Sequence, residues 1–309
     1  MSDAPYTGFF DLQVNGFAGV DFQQPEISHA AMAQAVEGLR QHRTDRILFT
    51  LITDRIDSLC AKLANIEKLR AADPKIARMV VGYHIEGPYM SPKPGYHGAH
   101  DPALMKAPVI AEFERLQDAA NGNIRLITMA PEHPGSAEFI HHITARGVVA
   151  SIGHSEADDR QIDEAIAAGL TMCTHLGNGI PVEMHRHDNV MQRLLARDEL
   201  FACFIHDGIH LPPRVLKNFV RAKPRDKVIF TTDCMAAGGA GPGRYQLARF
   251  TVEVGEDRVV REPGKRNFAG SSLAMDEGAQ NLRKFLGWSD AEIHEASGPR
   301  VARSLGMAG

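Results

Sequence analysis

The sequence predicts an α/β protein folded as a closed (β/α)8 barrel, also called a TIM barrel. Eight short apolar runs rich in β-branched and aromatic residues are spread over the 309 residues, and most intervals between them carry the spacing of amphipathic helices. Apolar strands that alternate with helices are typical of a parallel sheet buried on both faces, and eight such units close a barrel. An open, doubly wound sheet is the alternative, but no G-x-G-x-x-G follows the first run, which weakens its dinucleotide-binding form.

The predicted strands cover, in chain order, residues 8–16, 46–53, 79–87, 124–132, 148–155, 171–178, 200–208 and 227–234. Helical spacing is clear between the first two strands, where Met32, Val36 and Leu39 recur at intervals of four and three. After the fifth strand, Ser155 and Asp158 predict the start of a helix, in a pattern that resembles a capping box.

An irregular, glycine-rich stretch, residues 235–275, follows the eighth strand, and a small hairpin is predicted within it at 246–260. Two helices, near 276–286 and 289–305, are predicted next. No internal repeat, low-complexity tract or linker divides the sequence, so we expect a single barrel domain over residues 1–309.

The composition is that of a soluble globular protein. The formal net charge is −4, with 44% hydrophobic and 23% charged residues, which are ordinary values. The first ten residues, MSDAPYTGFF, lack the pattern of a secretory signal, and no apolar run is long enough to span a bilayer; we therefore expect a cytoplasmic protein with no membrane partner. Four scattered cysteines are expected to be reduced, and the lack of a long basic run argues against nucleic acid as a partner.

Polar or charged side chains stand at the carboxyl ends of seven of the eight predicted strands. They are Gln13 and Asn15, His84 and Glu86, Glu132, His154, His175 and Asn178, Asp207 and His210, and Asp233. Burying such groups costs several kcal/mol unless they are paired or bound. The carboxyl ends of barrel strands face one mouth, where the catalytic groups of such barrels lie. The pattern therefore predicts one site.

Glu86, His154 and His175 form a ligand set typical of catalytic zinc, which leaves one coordination position open. A divalent ion there lowers the pKa of a bound water from about 16 toward 7. Asp233, on the eighth strand, could then hold that water and move its proton. Taken singly, each residue has another interpretation. A histidine at a strand end is commonly a hydrogen-bonded turn residue, and Asp233 could have no role beyond capping the following turn.

Nine short motifs follow one another along the chain, in the order DLQVNG, HIEGP, GAHDP, APE, IGHS, THLGNG, DGIH, TTD and GSSL. This ordered set resembles the amidohydrolase superfamily and, within it, the N-acetylglucosamine-6-phosphate deacetylase family, over residues from about 8 to 305. The resemblance implies a barrel of the metal-dependent hydrolase type and an enzyme that hydrolyses a linear amide bond in amino sugar metabolism.

Residue roles are also implied by the resemblance. Glu86, His154 and His175 match the family's metal ligands, Asp233 its general acid and base, and His100 a histidine that helps to polarise the acetyl carbonyl. Without the family, His100 would be interpreted as an exposed loop residue. Positions that hold the sugar or its phosphate match Ala99, Asn178, Gly179, His210, Phe268, Ala269 and Gly270.

Arg186 lies at the same distance after the strand-six histidine as the family's phosphate-binding arginine. A guanidinium suits this role because its planar fork meets two phosphate oxygens. The charge-rich surroundings, residues 183–189, depart from the usual pattern, and such loops are commonly only solvated. We expect a phosphate contact from Arg186, with solvation as the alternative.

Three departures from the family pattern affect the interpretation. Gln13 and Asn15 replace the H-x-H pair that binds a second metal in most amidohydrolases, and neutral amides are poor zinc ligands, so one metal per subunit is expected. The small β-sandwich that the family forms from its terminal segments is expected to be absent. Gly177 and Gly179 stand where the family carries a bulky residue and an alanine, so a more open pocket wall is expected.

The leading hypothesis is a metal-dependent deacetylase that removes acetate from an N-acetyl amino sugar 6-phosphate, with metal-bound water as nucleophile. The metal is expected to be Zn²⁺, with Fe²⁺, Mn²⁺ or Co²⁺ as alternatives. Other N-acyl amino sugars or N-acyl amino acids are alternative substrates, and a non-catalytic barrel that binds sugar phosphates is an alternative class. The family often forms dimers, so a homodimer is one possible oligomeric state, and the sequence leaves the oligomeric state open.

Overall fold

A computed structural model describes residues 7–264 and 268–307, in which eight parallel strands form a barrel wall. These strands are β1 (Phe9–Val14), β4 (Thr44–Ile52), β5 (Val80–Glu86), β6 (Ile124–Met129), β7 (Val149–Ile152), β8 (Leu170–Cys173), β9 (Phe201–Ile205) and β10 (Val228–Thr231). Each hydrogen-bonds the next in this order. All eight predicted strands and the barrel are thereby confirmed.

The seam between β1 and β10 is closed at the carboxyl end of β1 and just beyond that of β10. Val14 and Cys234 form a parallel bridge, and the amide of Asn15 donates to the carbonyl of Cys234 at 2.7 Å. The buried carboxylate of Asp11 accepts from the hydroxyl of Thr231 at 2.5 Å. Burial raises the pKa of Asp11, against the opposing effect of this hydrogen bond.

Most helices cover the outside of the wall, whereas the last one lies across its amino-terminal end. The helices are α1 (His29–Gln41), α2 (Ile56–Ala72), α3 (Pro74–Met79), α4 (Ile110–Ala119), α5 (Ser136–Thr144), α6 (Asp159–Ala167), α7 (Val190–Leu195), α8 (Pro213–Ala222), α9 (Met275–Leu286), α10 (Asp290–Ala296) and α11 (Pro299–Ser304). Among the described residues, no helix is both long and apolar enough to cross a membrane.

Two helix boundaries differ from those predicted. The helix expected over 289–305 is two helices, α10 and α11, because Pro299 has no N–H to donate and disfavours helical backbone at Gly298. The cap of α6 is Asp158, whose capping box partner is Gln161. The hydroxyl of Ser155 instead donates to Glu132 at 2.6 Å, so its predicted capping role was wrong.

Two smaller sheets lie outside the barrel wall. A ribbon pairs β2 (Gly16–Phe17) with β3 (Val20–Asp21), and an antiparallel sheet joins β11 (Gly243–Leu247), β12 (Phe250–Val254) and β13 (Val260–Arg261). The predicted hairpin is therefore present, with a third strand added. No β-sandwich is formed by residues 7–264 and 268–307. The single domain over residues 1–309 stays a prediction.

The inside of the barrel changes character along its axis. At the amino-terminal end lies an apolar layer, which we call the floor; Val301, Ala302 and Leu305 close it, and its wall residues are Phe10, Leu12, Leu48, Leu126, Met172, Cys203 and Ile229. Burying one such side chain stabilises the fold by about 1.5–3 kcal/mol. Toward the carboxyl ends of the strands the inward side chains are polar.

Candidate metal centre and active site

Three predicted metal ligands meet at the carboxyl-terminal mouth of the barrel. Glu86 is the last residue of β5, His154 follows β7, and His175 follows β8. Their ligand atoms all lie within 4.8 Å of one another. His175 Nε2 is 2.8 Å from Glu86 Oε1 and 3.2 Å from His154 Nε2. All three side chains are buried.

The donor chemistry of this cluster fits a divalent metal. His154 Nδ1 lies 2.6 Å from the carbonyl of Tyr96, which can only accept, so this nitrogen carries the ring hydrogen. In a neutral ring Nε2 then holds a lone pair, directed at His175 Nε2 and at Glu86 Oε1. Converging lone pairs repel unless a cation or proton lies between them. Two imidazoles and one carboxylate suit zinc, and they also suit other first-row metals.

The carboxylate of Glu86 is held in its ionised form. Burial alone would raise its pKa, but the neighbouring imidazoles of His154, His175 and His100 keep the pKa well below the ordinary value. Gln13 also donates to Glu86 Oε1 at 2.9 Å. For His175, burial acts to lower the pKa, but the hydrogen bond and charge of Glu86 raise it. The Glu86 carboxylate is therefore ionised, as a metal ligand must be.

The backbone is strained at three of the strand ends. His154, His175 and Asp233 have φ angles of 53°, 27° and 50°. Residues other than glycine rarely adopt positive φ angles. Such strain costs of order 1–3 kcal/mol per residue and persists only where the surroundings enforce it. Its concentration at these residues supports a functional role, and nothing in the sequence pattern predicted it.

Asp233 stands at the end of β10, and its side chain accepts a hydrogen bond from Asn15 Nδ2 at 2.7 Å. Burial raises the pKa of Asp233 to about 7; the charge of Glu86 adds to this effect, while His175 and the Asn15 hydrogen bond oppose it. A carboxyl group with a pKa near 7 can exchange a proton readily at neutral pH.

His100 is buried beside the cluster, so its interpretation as an exposed loop histidine was wrong. Its Nε2 lies 3.6 Å from Glu86 Oε2, and its ring meets that of His154 edge to face at 4.8 Å between centroids. Nδ1 faces the hydroxyl and the amide of Thr53 at 3.1 and 3.4 Å. Burial lowers the pKa of His100 to about 3, which keeps the ring neutral.

His210 and the segment 268–270 lie side by side. Asp207 Oδ2 is 2.6 Å from His210 Nδ1 and orients the ring, and the ring lies 4.8 Å from that of Phe268. Phe268 is 41% exposed, whereas Ala269 is buried and donates its amide to Val260. Gly270 follows with a positive φ of 82°.

The more open pocket wall expected at Gly177 and Gly179 stays a prediction, although little space is free beside either glycine. A Cβ on Gly179 would lie 2.6 Å from His154 Nδ1, and one on Gly177 would lie 2.8 Å from Leu211 Cδ2. The space beside both glycines is therefore already filled by neighbouring side chains. Asn178, between them, donates its side-chain amide to the carbonyl of His175 at 3.2 Å.

Four other predicted positions are not among the ligands of the cluster. Arg186 is exposed on the loop between β8 and α7, and Ala99 is half-buried next to His100. Glu132 accepts from Ser155 and from the amide of Glu156, which gives it a structural role. His84 lies below the ligands, with its Nε2 2.7 Å from Thr128 Oγ1.

Sequence reasoning missed two groups that shape the centre. The carbonyl of Tyr96 fixes the ring of His154, and Thr53 contacts His100. A backbone carbonyl leaves no signal in the sequence. The position of Thr53, at the end of the second predicted strand, was the one available indication.

Relatives of this chain are named as deacetylases of amino sugar phosphates, although no family model matches it. It is 31% identical over 302 residues to the N-acetylglucosamine-6-phosphate deacetylase of Bacillus subtilis, a match that covers 97% of this chain and 75% of that protein. It is 30% identical over 305 residues to the N-acetylgalactosamine-6-phosphate deacetylase of Escherichia coli O157:H7, with 97% and 78% covered.

A solved structure resembles the whole barrel. It is the N-acetyl-D-glucosamine-6-phosphate deacetylase of Mycobacterium smegmatis, an Asp-to-Ala variant in complex with N-acetyl-D-glucosamine-6-phosphate. The TM-score is 0.87 at 28% identity, and 97% of this chain and 77% of that chain are covered. On the sequence match, the motif order and this shared fold, the chain belongs to the N-acetylglucosamine-6-phosphate deacetylase family.

Proposed function

We propose that this protein hydrolyses the amide bond of N-acetylglucosamine 6-phosphate and releases acetate and the free amino sugar phosphate. The observation that carries the proposal is the buried Glu86–His154–His175 cluster at the mouth of a barrel of this family. Strand-end residues of a barrel are where enzymes of this fold carry out their chemistry.

The cluster would hold one divalent ion, for which Zn²⁺ is the best fit among Zn²⁺, Fe²⁺, Mn²⁺ and Co²⁺. When bound, the ion supplies Lewis acidity, which polarises the acetyl carbonyl and makes water more acidic. Gln13 and Asn15 support a single metal, because each donates its amide N–H to a carboxylate, Glu86 and Asp233 respectively.

Asp233 would move the proton. Its carboxylate takes a proton from the attacking water, and the resulting acid protonates the departing amine nitrogen as the C–N bond breaks. A group with a pKa near 7 can serve in both directions. A Ser or Thr at this position could not take the same proton at neutral pH.

His100 would stabilise the negative charge that develops on the acetyl oxygen. Because its Nδ1 accepts from the amide of Thr53, the hydrogen of the neutral ring resides on Nε2. This N–H faces the ligand cluster, 3.6 Å from Glu86 Oε2. A fixed donor at such a position lowers the barrier by about 3–4 kcal/mol.

The sugar and its phosphate would bind around the mouth. We assign sugar contacts to Ala99, Asn178, Gly179, His210, Phe268, Ala269 and Gly270, and the phosphate contact to Arg186. The adjacency of His210 and Phe268 supports one binding wall. The exposure of Arg186 leaves its guanidinium accessible to a phosphate.

An acetate-release assay on a substrate panel tests the proposal. The panel contains N-acetylglucosamine 6-phosphate, N-acetylgalactosamine 6-phosphate, N-acetylglucosamine and an N-acetyl amino acid. We expect the highest kcat/KM for N-acetylglucosamine 6-phosphate. A preference for the galactose epimer, or for the amino acid, would contradict the assigned substrate. Binding of the sugar phosphate without acetate release would favour a non-catalytic barrel.

Arg186→Ala tests the phosphate contact within the same assay. Loss of a charged hydrogen bond is worth about 1.5–3 kcal/mol, so kcat/KM for the phosphorylated sugar should fall about 10- to 100-fold while that for the unphosphorylated sugar is unchanged. Arg160→Ala is the matched control, since Arg160 is an exposed arginine of α6 paired with Glu164. Equal loss on both sugars would contradict the assignment.

We further propose a cytoplasmic location and a homodimer that binds no nucleic acid. The absence of a membrane-spanning helix among the described residues is compatible with this. Light scattering of the purified protein measures the oligomeric state, and a monomer would contradict the dimer.

A further inference from the structure

Five polar side chains form a layer inside the barrel, between the floor and the ligand cluster. We call it the hydroxyl layer, and it consists of Thr50 on β4, His84 on β5, Thr128 on β6, Ser151 on β7 and Thr174 just after β8. All five are at most 3% exposed. Five buried polar groups in a barrel interior are costly unless each one has a partner.

Hydrogen bonds run through this layer from one strand to the next. Ser151 Oγ lies 2.6 Å from Thr174 Oγ1, and Thr174 Oγ1 lies 2.7 Å from Thr128 Oγ1. Thr128 Oγ1 lies 2.7 Å from His84 Nε2. Because a hydroxyl can donate and accept at once, these four groups form a continuous chain.

The chain continues beyond His84 on the other side. His84 Nδ1 faces Thr50 Oγ1 at the longer distance of 3.4 Å, and the ring also forms a hydrogen bond to the backbone of Leu12. Thr50 in turn accepts from the amide of Val14 at 3.0 Å. The layer therefore links β7, β8, β6, β5 and β4, and it reaches β1.

The members of the layer are tied closely to the metal ligands. Thr174 directly precedes His175, and Thr128 is paired in register with Glu86 on one side and with Ser151 on the other. Both ligand histidines have strained, left-handed backbone. Such backbone relaxes unless neighbouring groups hold it. The hydrogen bonds of Thr174 hold the residue next to His175, and that of Ser151 holds β7 three residues before His154.

We propose that the hydroxyl layer is a positioning element of the metal centre. It fixes the ends of β5, β7 and β8 relative to one another, so that Glu86, His154 and His175 converge on one point. The inference rests on the proposed function, because it requires that this cluster hold a metal. Its members touch neither substrate nor metal; they act through the backbone of the ligands.

Thr128 is the place to test the layer, because its hydroxyl bonds to both His84 and Thr174. Thr128→Val keeps the shape and removes the hydroxyl, whereas Thr128→Ser keeps the hydroxyl. Thr44→Val is a matched control, because Thr44 is a buried threonine at the amino-terminal end of β4, away from the hydroxyl layer. The readouts are the zinc Kd, from competition with a chromophoric chelator, and urea unfolding of the metal-free protein.

We expect Thr128→Val to weaken zinc binding about 10- to 100-fold, the range found for groups that orient metal ligands. Thr128→Ser and Thr44→Val should keep the zinc Kd within about threefold of wild type. If Thr128→Val does not fold, Ser151→Ala, which removes the terminal hydroxyl of the chain, is expected to weaken zinc binding in the same direction.

Two failures can be told apart. If wild type binds no zinc or other divalent ion, the proposed function fails and this inference fails with it. If wild type binds zinc and Thr128→Val, or Ser151→Ala in its place, binds it equally well, the hydroxyl layer only fills the core and this inference alone is overturned.

Discussion

The two ends of the barrel interior are built from the same strands but from opposite chemistry. Met172 of β8 belongs to the apolar floor, and Thr174, just after β8, belongs to the hydroxyl layer. On β6 the corresponding pair is Leu126 and Thr128. Stability is supplied where the strands begin, and the reaction site is assembled where they end. The barrel can therefore carry strained, charged residues at its mouth because the floor and the outer core hold the strands in place.

The largest effect that separates the two ends is expected from Asp233→Asn. The amide cannot take a proton, so kcat should fall roughly 10²- to 10⁴-fold, while zinc content remains that of wild type because Asp233 is not among the three ligands. Acetate release and elemental analysis on the same sample measure both quantities. A variant that retains kcat would remove Asp233 from the mechanism.

A substitution in the floor should lower the stability of the protein and leave kcat nearly unchanged. Leu126→Ala removes a fully buried side chain and is expected to lower the free energy of unfolding by about 2–5 kcal/mol. The kcat of the folded fraction should stay within about twofold of wild type, since the floor touches no reacting group. Urea unfolding and acetate release measure the two effects. A large fall in kcat with unchanged stability would contradict the division between floor and mouth.

The smallest effect concerns pH and the Asn15–Asp233 hydrogen bond. The base must be ionised, so activity is present above the pKa of Asp233 and is lost as pH falls through it. The hydrogen bond from Asn15 lowers this pKa against the effect of burial. Asn15→Leu should therefore raise the pKa and move the acid limb of the kcat/KM profile upward by about one pH unit. A downward shift or an unchanged limb would contradict the assigned role of Asn15.

The barrel and the ligand set could be predicted because each leaves a local mark in the sequence. Apolar runs such as RILFTLIT favour strands that are buried on both faces. Each of the eight runs contains a strand of the barrel. Glutamate and histidine are unusual near the carboxyl ends of such runs, so Glu86, His154 and His175 were noticed. Their convergence followed from the geometry of parallel strands, whose ends share one mouth.

Features that depend on distant contacts could not be predicted. Gly179 packs tightly against His154, 25 residues away in the sequence, and the buried His100 contacts Thr53, 47 residues away. Ser155 fits a capping pattern but bonds to Glu132 instead. Isolated threonines within apolar strands gave no sign that they form a hydroxyl layer, because each is also common in ordinary strands.

The central claim is that Glu86, His154 and His175 together hold one catalytic divalent ion, and the most direct test measures metal content and acetate release in parallel. Wild type is expected to contain about one metal per chain, to lose activity in a strong chelator, and to regain it on addition of Zn²⁺. His175→Ala should neither retain the metal nor recover. Full activity in metal-free wild type, or wild-type metal content in His175→Ala, would contradict the account.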